Sequence, residues 1–522
     1  MRRACAAMLA ALLALGSSPV AHSQNAPGAS RSGSLPTLGD NLELTAGAER
    51  RIGERIAASI YRDRDYIDDP VLEDYVQTIW QPLMAAARSR GELSPELEER
   101  FAWELFLLRD RTINAFALPG GYFGFHLGLI GAVGSRDELA AVMGHELSHV
   151  TQRHISRLMT QQSRQTPWMI AAMIIGALAA SKGSQAGEAA MMGGQALAAQ
   201  SQLNFSRDME READRIGFGV MADAGFDTRG VGSMFEKLQQ ASRINDNGSF
   251  PYLRSHPLNT ERIAEAQQRL QLAPPAADKG LGAAQDRFLH AMMASRARVL
   301  ADPGVDVLRT MVAEAQRQLP PAQAASQPSA ADIRNAGVFY AASLAAARLR
   351  DFQLARTFAE RLGTLAAATP SAGKVGLLSL EIDQMAGTVS PSASGIDVSR
   401  TNSRAELLVQ SRALLAAGRA RDVSDRLITW VTAHPRDALA WQTLAIAYGN
   451  QGQNVRAIRA DAEARAAQLD YIAALDRLKA AQNMMRNNPG SADFMEGSII
   501  DARARQLDSL VREQALQDKL DR

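Results

Sequence analysis

Apolar residues recur at helical spacing between residues 135 and 159. The positions that form this apolar face are Leu139, Val142, Met143, Leu147 and Val150. Spacings of three and four residues are typical of one side of a helix. Ser135 and Glu138 have the types and spacing of a capping box, in which each side chain bonds a free backbone amide. The pattern predicts a mostly buried helix that begins after Ser135 and runs to about Met159.

Two segments before this helix alternate between apolar and small or polar residues. "FAWELFLL" at 101–108 and "INAFALPGGYFGFHLGLI" at 113–130 are typical of strands, and a Pro-Gly-Gly turn interrupts the second. Helical patterning also runs, with interruptions, from Leu42 to about Arg90. Together these elements predict a mostly helical α+β fold with a small sheet beside the helix of 135–159.

The composition changes near residue 270. "LAPPAADKGLGAA" at 272–284 is typical of a linker, and the Ala- and Arg-rich chain after it predicts an all-α domain at 285–522. The clearest repeat, at 438–471, matches the tetratricopeptide pattern at Trp441, Leu444, Ala445, Tyr448, Gly452 and Ala457. A generic helical bundle is the alternative. Either arrangement predicts stacked helix pairs that present a concave face.

The first residues are typical of a secretory signal peptide at 1–23. Arg2 and Arg3 form a charged start, an apolar run follows at 6–16, and Ala21-His22-Ser23 fits a cleavage site. The alternative is a transmembrane anchor, but the apolar run falls short of the roughly 20 residues that a span needs. A flexible segment at 24–40 and a catalytic domain at 41–271 would follow the cleavage site.

Charge and cysteine content narrow the function classes. The formal net charge is +1, and −1 without Arg2 and Arg3, so nucleic acid is not an expected partner. The only cysteine is Cys5, within the predicted signal, so the mature chain would have no disulfide bond and no thiolate metal site. Export without cysteine suits a bacterial periplasm. The apolar run Met169–Ala180 is too short to span a membrane, and predicts either a packed core helix or an interfacial helix.

The sequence "MGHELSHV" at 143–150 places candidate metal ligands on the predicted helix. His145 and His149 are one helical turn apart, so both imidazoles can bind the same zinc ion. Glu146 is displaced by about 100° around the helix axis, which lets it act on a water molecule as a general base. Strings of this kind also occur in proteins without metal, so an ordinary polar helix face is the alternative.

A third ligand is available in "RDMEREADR" at 207–215. Glu210 can bind the metal from a second helix, and Asp214, one turn later, can accept the N–H of a metal-bound histidine. An acidic and basic run of this kind is usually a solvated helix face. Here Ile216 and Phe218 follow directly, so the predicted helix has a buried side.

Three motifs together carry a family resemblance. "NAFALPGGYFGF", "GHELSHV" and "EREADRIG", in this order, resemble the CAAX-prenyl-protease and HtpX-type family of zinc metallopeptidases. The exported branch of that family with a C-terminal tetratricopeptide domain is the most similar. The resemblance covers roughly residues 45–265 well and the helical tail more loosely.

The resemblance implies a zincin-type domain with one zinc ion per chain. It makes His145, His149 and Glu210 the zinc ligands, Glu146 the catalytic base and Asp214 the acidic residue one turn after the ligand glutamate. One departure is the lack of cysteine in the mature chain, which excludes any disulfide bond between domains.

"SHPLNTERI" at 255–263 resembles a later motif of the same branch. His256 would then face the zinc, either as a reversible fourth ligand that holds the enzyme shut or as a donor to the developing oxyanion. Arg262 would support the same site. Asn114 and Ala115 begin a segment that resembles an edge strand, along which a peptide substrate could add as a further strand.

The function that follows is a periplasmic, zinc-dependent endopeptidase whose tetratricopeptide-like domain binds clients or assembly machinery. The resemblance alone implies the substrates, which are misfolded or stalled outer-membrane proteins. The alternative is a chaperone or scaffold in which zinc is structural or the site stays closed, because sites with four protein ligands are usually structural.

Overall fold

The structure is a computed structural model that describes residues 44–161, 206–243, 251–272, 280–318, 327–401, 403–488 and 494–520. The predicted signal peptide, the flexible segment at 24–40 and the apolar run Met169–Ala180 lie outside the described residues. Within the described ranges, no helix combines the length and the apolar character that crossing a membrane requires.

A four-stranded sheet lies beside the helix that carries the two histidines. Its strands are β1 (Tyr66–Ile67), β2 (Glu104–Leu108), β3 (Ala115–Leu118) and β4 (Tyr122–His126), in the order β1-β2-β4-β3. β2 and β4 are parallel, whereas β3 and β4 form an antiparallel hairpin. Strands form within both predicted segments, but residues 127–130 of the second segment are helical rather than extended. The pattern did not predict β1.

The hairpin turn depends on two glycines with left-handed backbone. Gly120 and Gly121 have φ angles of +75° and +80°, which side chains other than glycine rarely adopt. A Cβ on Gly120 would lie 2.6 Å from Cα of Arg50, so the turn also packs directly on the first helix.

Most of the described chain is helical, so the predominantly helical α+β class is confirmed. Those up to residue 272 are α1 (Ala46–Tyr61), α2 (Pro70–Ser89), α3 (Pro95–Arg100), α4 (Leu127–Ala132), α5 (Arg136–Thr151), α6 (His154–Gln161), α7 (Arg207–Asp223), α8 (Arg229–Arg243), α9 (Tyr252–Ser255) and α10 (Thr260–Leu272). α5 packs against α2, α7, α8 and β3. It is the central helix of this part of the chain.

The expected single helix from Ser135 to Met159 is wrong at its C-terminal end. α5 ends at Thr151, and α6 begins at His154 after Arg153 adopts a left-handed φ of +53°. At the N-terminus, Oγ of Ser135 accepts from the backbone N–H of Glu138 as predicted. The Glu138 carboxylate, however, accepts from the N–H of Gly134, so the cap is shifted by one residue.

Two glycines let α5 and α7 approach closely. Gly144 of α5 lies against Gly217 of α7, and a Cβ built on Gly217 would lie 3.0 Å from the backbone of Gly144 and His145. Gly144 directly precedes His145, and Gly217 lies three residues after Asp214. The close approach of the two helices at these glycines therefore brings their candidate ligands together.

The C-terminal part of the described chain is helical. Its helices are α11 (Gly280–Leu300), α12 (Val305–Arg317), α13 (Ala330–Arg348), α14 (Phe352–Ala366), α15 (Ala372–Ala386), α16 (Arg404–Ala416), α17 (Ala420–Ala433), α18 (Ala438–Asn450), α19 (Asn454–Ala467), α20 (Tyr471–Asn487) and α21 (Phe494–Leu520). Short 3₁₀ turns lie at Pro391–Gly395 and Val398–Arg400. The repeat at 438–471 covers α18 and α19, which pack against each other across the left-handed Gly452.

One hydrophobic core continues from the sheet region into the C-terminal helices. α11 packs against α4, and residues as distant as Trp80, Phe123, Phe288 and Phe339 belong to the same buried cluster. Residues 280–284 of the expected linker form the first turn of α11. The predicted division into two domains at 272–284 stays untested. The described residues on its two sides share one continuous hydrophobic core.

Two arginines of the C-terminal helices, the buried Arg296 and the half-buried Arg404, hold the acidic start of α2. Arg404 of α16 makes ion pairs with Asp68 and Glu73. Arg296 of α11 makes a 2.6 Å ion pair with Asp69. Buried charges of this kind require partners, so these contacts fix the C-terminal helices against the helix that packs on α5.

We predict that Gly217→Ala lowers the thermal stability of the protein. The added methyl group would meet backbone that cannot move away cheaply, and overpacking of this kind costs about 1–3 kcal/mol. Thermal unfolding measured against Gly363→Ala provides the control, because a Cβ at Gly363 of α14 meets nothing within 4 Å. The control is expected to be neutral or slightly stabilising. Equal melting temperatures for the two variants would contradict the close α5–α7 approach.

Candidate metal centre

α5 presents two buried imidazoles to one point. His145 and His149 are 6% and 0% exposed, and their Nε2 atoms lie 3.0 Å apart. The helix forces this arrangement, since side chains four residues apart project from the same face. Both nitrogens therefore face a common site.

Glu210 of α7 brings a carboxylate to the same point. Its Oε1 lies 3.4 Å from Nε2 of His149, and its Oε2 lies 3.5 Å from Nε2 of His145. Glu210 is 1% exposed. A carboxylate at this depth requires compensating partners, and two of the groups beside it are the imidazoles of α5.

His256 completes the group from the end of α9. Its Nδ1 lies 2.9 Å from Oε1 of Glu210 and 3.3 Å from Nε2 of His145. Its other nitrogen, Nε2, lies 3.4 Å from Oε1 of Glu146. The ring therefore lies between the ligand atoms and the carboxylate of Glu146.

The four side chains fit a single zinc ion. Ligand atoms of His145, His149, Glu210 and His256 all lie within 4.8 Å of one another, and all four residues are buried. Zn–N and Zn–O bonds of about 2.0–2.1 Å in a tetrahedron would separate the ligand atoms by about 3.3 Å. The distances between these residues are of that size.

Asp214 holds the far side of His145. Its Oδ1 lies 3.0 Å from Nδ1 of His145, so the carboxylate can accept the ring N–H. Acceptance at Nδ1 leaves the lone pair on Nε2, which is the nitrogen that faces the other ligand atoms. This distance would allow the orienting role of Asp214, which stays a prediction.

Arg262 of α10 links the two acidic residues of α7. It donates two hydrogen bonds to Asp214, from Nε at 2.7 Å and from Nη2 at 2.8 Å. Its Nη1 lies 2.7 Å from Oε2 of Glu210 and donates to the backbone carbonyl of Pro257. One cation thus compensates two buried carboxylates and holds the residue that follows His256.

Residues 71–270 match the family model described as peptidase family M48. This part of the chain is similar to peptidase family M48. The metallopeptidases of this family depend on zinc, and the matched segment contains all four residues of the buried cluster.

Curated relatives of the M48 segment include proteases named for assembly of β-barrels. A Vibrio cholerae protein, provisionally named a beta-barrel assembly-enhancing protease, is 36% identical over 243 residues, which are 46% of this chain and 48% of the relative. The beta-barrel assembly-enhancing protease of Escherichia coli is 32% identical with the same coverage of both chains. The mitochondrial metalloendopeptidase OMA1 of Arabidopsis thaliana is 28% identical over 37% of this chain and 36% of the relative. The chain thus spans about half the length of the first two relatives.

In the metal cluster, burial and hydrogen bonds have opposing effects on the pKa values of the titratable side chains. Burial would raise the pKa of Asp214, but hydrogen bonds with Arg262 and His145 outweigh it and lower that pKa to about 2. Burial would lower the pKa of His145, but Asp214 and Glu210 raise it to about 10. Burial keeps the pKa of His149 well below its usual range. Two carboxylates thus favour the protonated ring of His145, whereas burial and the neighbouring charge of His145 disfavour protonation of His149.

The predicted substrate strand lies at one end of the sheet. β3 is bonded only to β4 in the described sheet, and the carbonyl of Asn114 accepts from the N–H of His126 on the β4 side. Backbone groups alternate in direction along a strand, so those of Ile113 and Ala115 face away from β4. Ala115 is fully buried in this state.

The sequence did not predict two neighbours of the metal site. Nδ1 of His154, five residues after His149, lies 2.9 Å from Nδ1 of His149. Tyr252 stacks on the ring of His256 at a centroid distance of 4.6 Å. The pattern gave no signal for the helix break at Arg153, which is what brings His154 to the site.

The geometry of the buried metal cluster predicts how variants of its ligand residues should behave. The wild-type protein should bind about one zinc ion per chain, and His149→Ala or Glu210→Ala should lose most of it because each removes one donor from the cluster. Metal content after chelation and reconstitution measures this. Asp208→Ala is the matched control, since Asp208 lies on the same helix with its side chain 85% exposed. Unchanged zinc affinity in Glu210→Ala would show that the third ligand is misassigned.

Proposed function

We propose that the protein is a zinc-dependent endopeptidase that acts on unfolded or stalled outer-membrane proteins in the periplasm. The observation that carries the proposal is the buried cluster of three histidines and Glu210 beside a second carboxylate, Glu146. The M48 family match supports the reaction class. The names of the beta-barrel assembly-enhancing relatives support the substrate class.

Glu146 has the surroundings of a general base. It is 0% exposed, and neither of its carboxylate oxygens has a hydrogen-bond partner among the described residues. A bound zinc ion would supply Lewis-acid activation of the peptide carbonyl and of water. Glu146 would take the proton of the attacking water and pass it to the nitrogen of the leaving amine. A purely structural carboxylate at this depth would be expected to accept hydrogen bonds, whereas Nε2 of His256 approaches Oε1 of Glu146 only to 3.4 Å.

His256 would hold this site shut. Its Nδ1 joins the ligand atoms, while its Nε2 lies 3.4 Å from Glu146, so the ring fills the space that water and a substrate carbonyl need. His256 precedes a proline, has φ and ψ angles of −123° and +74°, and lies at the end of a four-residue helix. A short element of this kind can move without disturbing the α5–α7 core. A reversible latch is therefore favoured over a fixed oxyanion donor.

Substrate binding along β3 would be coupled to this latch. The carbonyl of Ile113 faces away from β4, and the N–H of Tyr252 donates to it at 3.4 Å. Tyr252 in turn stacks on His256. A peptide that adds to this edge, where Asn114 and Ala115 begin the strand, would compete for the same carbonyl and displace the segment that carries His256.

The C-terminal helices would recognise clients or their assembly machinery. The concave surface expected of stacked helix pairs suits extended partners, and the tetratricopeptide match at 438–471 supports this arrangement. Contact of the run Met169–Ala180 with a membrane or client remains part of the proposal. Periplasmic location rests on the predicted signal peptide at 1–23.

A zinc-binding chaperone or scaffold is the second candidate. The observation that favours it is the fourth protein ligand, because closed four-ligand zinc sites are usually structural. The carboxylate of Glu146, which accepts no hydrogen bond among the described residues, favours the peptidase, since a structural zinc site does not need a general base.

Glu146→Gln should retain zinc and fold but lose proteolysis, because the amide cannot accept the proton of water. Cleavage of an unfolded outer-membrane protein, measured with metal content on the same sample, tests this. Glu54→Gln is the control, since Glu54 pairs with Arg50 on the partly exposed face of α1. Undiminished cleavage by Glu146→Gln would refute the proposed chemistry.

His256→Ala should raise the cleavage of unstructured substrates while zinc stays bound. If the latch keeps nine of ten molecules shut, the rate should increase by about tenfold. A histidine that donates to the transition-state oxyanion predicts the opposite, a loss of roughly 10²- to 10³-fold. Steady-state cleavage together with metal content separates the two roles, and a loss of activity with zinc retained would overturn the latch.

A further inference from the structure

We propose that His154 is a positioning residue that fixes the tautomer of the metal ligand His149, and that Glu212 in turn orients His154. The inference rests on the proposed zinc site but not on the proposed proteolysis. His145 has a carboxylate, Asp214, at its Nδ1, whereas Nδ1 of His149 lies against another histidine.

The break between α5 and α6 creates this contact. In a continuous helix His154, five residues after His149, would be rotated by about 140° away from it. Instead Arg153 has a left-handed φ of +53°, and the carbonyl of Arg153 accepts from the N–H of Arg157 in the first turn of α6. The reversal returns the His154 ring to the far side of His149, with the ring centroids 4.9 Å apart.

Ligation decides which ring donates in the 2.9 Å contact between the two Nδ1 atoms. Nε2 of His149 faces the other ligand atoms, so it must carry a lone pair and the ring proton must lie on Nδ1. That N–H donates to Nδ1 of His154, which must therefore be the acceptor. The proton of His154 then lies on Nε2, which is 3.0 Å from Oε2 of Glu212.

The chain of hydrogen bonds thus runs in one direction, from His149 through His154 to Glu212. Arg157 of α6 holds the same Oε2 of Glu212 at 3.0 Å. His154 is 0% exposed, whereas the side chain of Glu212 is 31% exposed. The buried His154 therefore connects the metal ligand His149 to the partly exposed carboxylate of Glu212 on α7.

Helix α7 has a double role in this arrangement. It supplies Glu210 to the ligand cluster, and it supplies the terminal acceptors for both ligand histidines, Asp214 directly and Glu212 through His154. Groups that orient metal-bound histidines typically contribute 10- to 100-fold to metal affinity. We assign an effect of that size to His154.

The test compares His154→Leu with His154→Asn in the full-length protein. The Asn side chain offers an oxygen near the position of the imidazole Nδ1, whereas Leu fills space without an acceptor. Zinc affinity, measured by competition with a chelator, should weaken about 10- to 100-fold in His154→Leu and stay within a few fold of wild type in His154→Asn. Melting temperatures of both metal-free variants report any packing defect separately. Equal zinc affinity for the two variants would overturn the proposal.

A second comparison keeps the test decisive if His154→Leu does not fold. Glu212→Leu should weaken zinc binding several-fold, because His154 loses the acceptor that fixes its tautomer. Asp208→Asn, which changes an exposed carboxylate on the same helix, should leave zinc affinity unchanged. An unchanged affinity in Glu212→Leu would reject the relay.

Failure of this inference and failure of the proposed function have different signatures. Zinc binding that depends on the acceptor at position 154, together with full cleavage by Glu146→Gln, would uphold the inference and reject the proteolysis. Normal proteolysis by the wild type, together with identical zinc affinity in both His154 variants, would uphold the proposed proteolysis and reject the inference about His154.

Discussion

The site depends on Arg262 and the two carboxylates that it holds. Glu210 and Asp214 lie one turn apart on α7, both buried, and Arg262 contacts both. Without the cation, two negative charges would lie close together in a region from which water is excluded, at a cost of about 3–5 kcal/mol for breaking a buried pair. Compensation by Arg262 allows Glu210 to face the histidines and Asp214 to fix the tautomer of His145. The close approach at Gly144 and Gly217 then brings α5 to them.

Much of the site followed from local patterns in the sequence. The spacing of His145 and His149 on one predicted helix, and of Glu210 and Asp214 on another, predicts a shared metal, with ordinary polar helix faces as the alternative. The resemblance added His256. The sequence pattern could not predict the contacts between α7 and α5. These contacts depend on Gly144 and Gly217, which only tertiary packing brings together.

The missed features have a common physical origin. The left-handed residue Arg153 carries a long side chain, so nothing in its type signals a helix end, and the position of His154 follows from that single angle. β1 is only two residues long and exists through its pairing with β2. The continuous core between the M48 segment and the C-terminal helices is likewise a tertiary feature. The composition of 272–284 indicates only where the chain character changes.

The central claim is that three imidazoles and one carboxylate hold a single zinc ion in the closed state. X-ray absorption at the zinc edge of the full-length protein tests it directly, because imidazole rings give a characteristic outer-shell scattering whose amplitude reports their number. Three imidazoles and only nitrogen or oxygen in the first shell are expected for the wild type, with two imidazoles for His256→Ala. Two imidazoles in both proteins would contradict the closed four-ligand site, and with it the proposed latch.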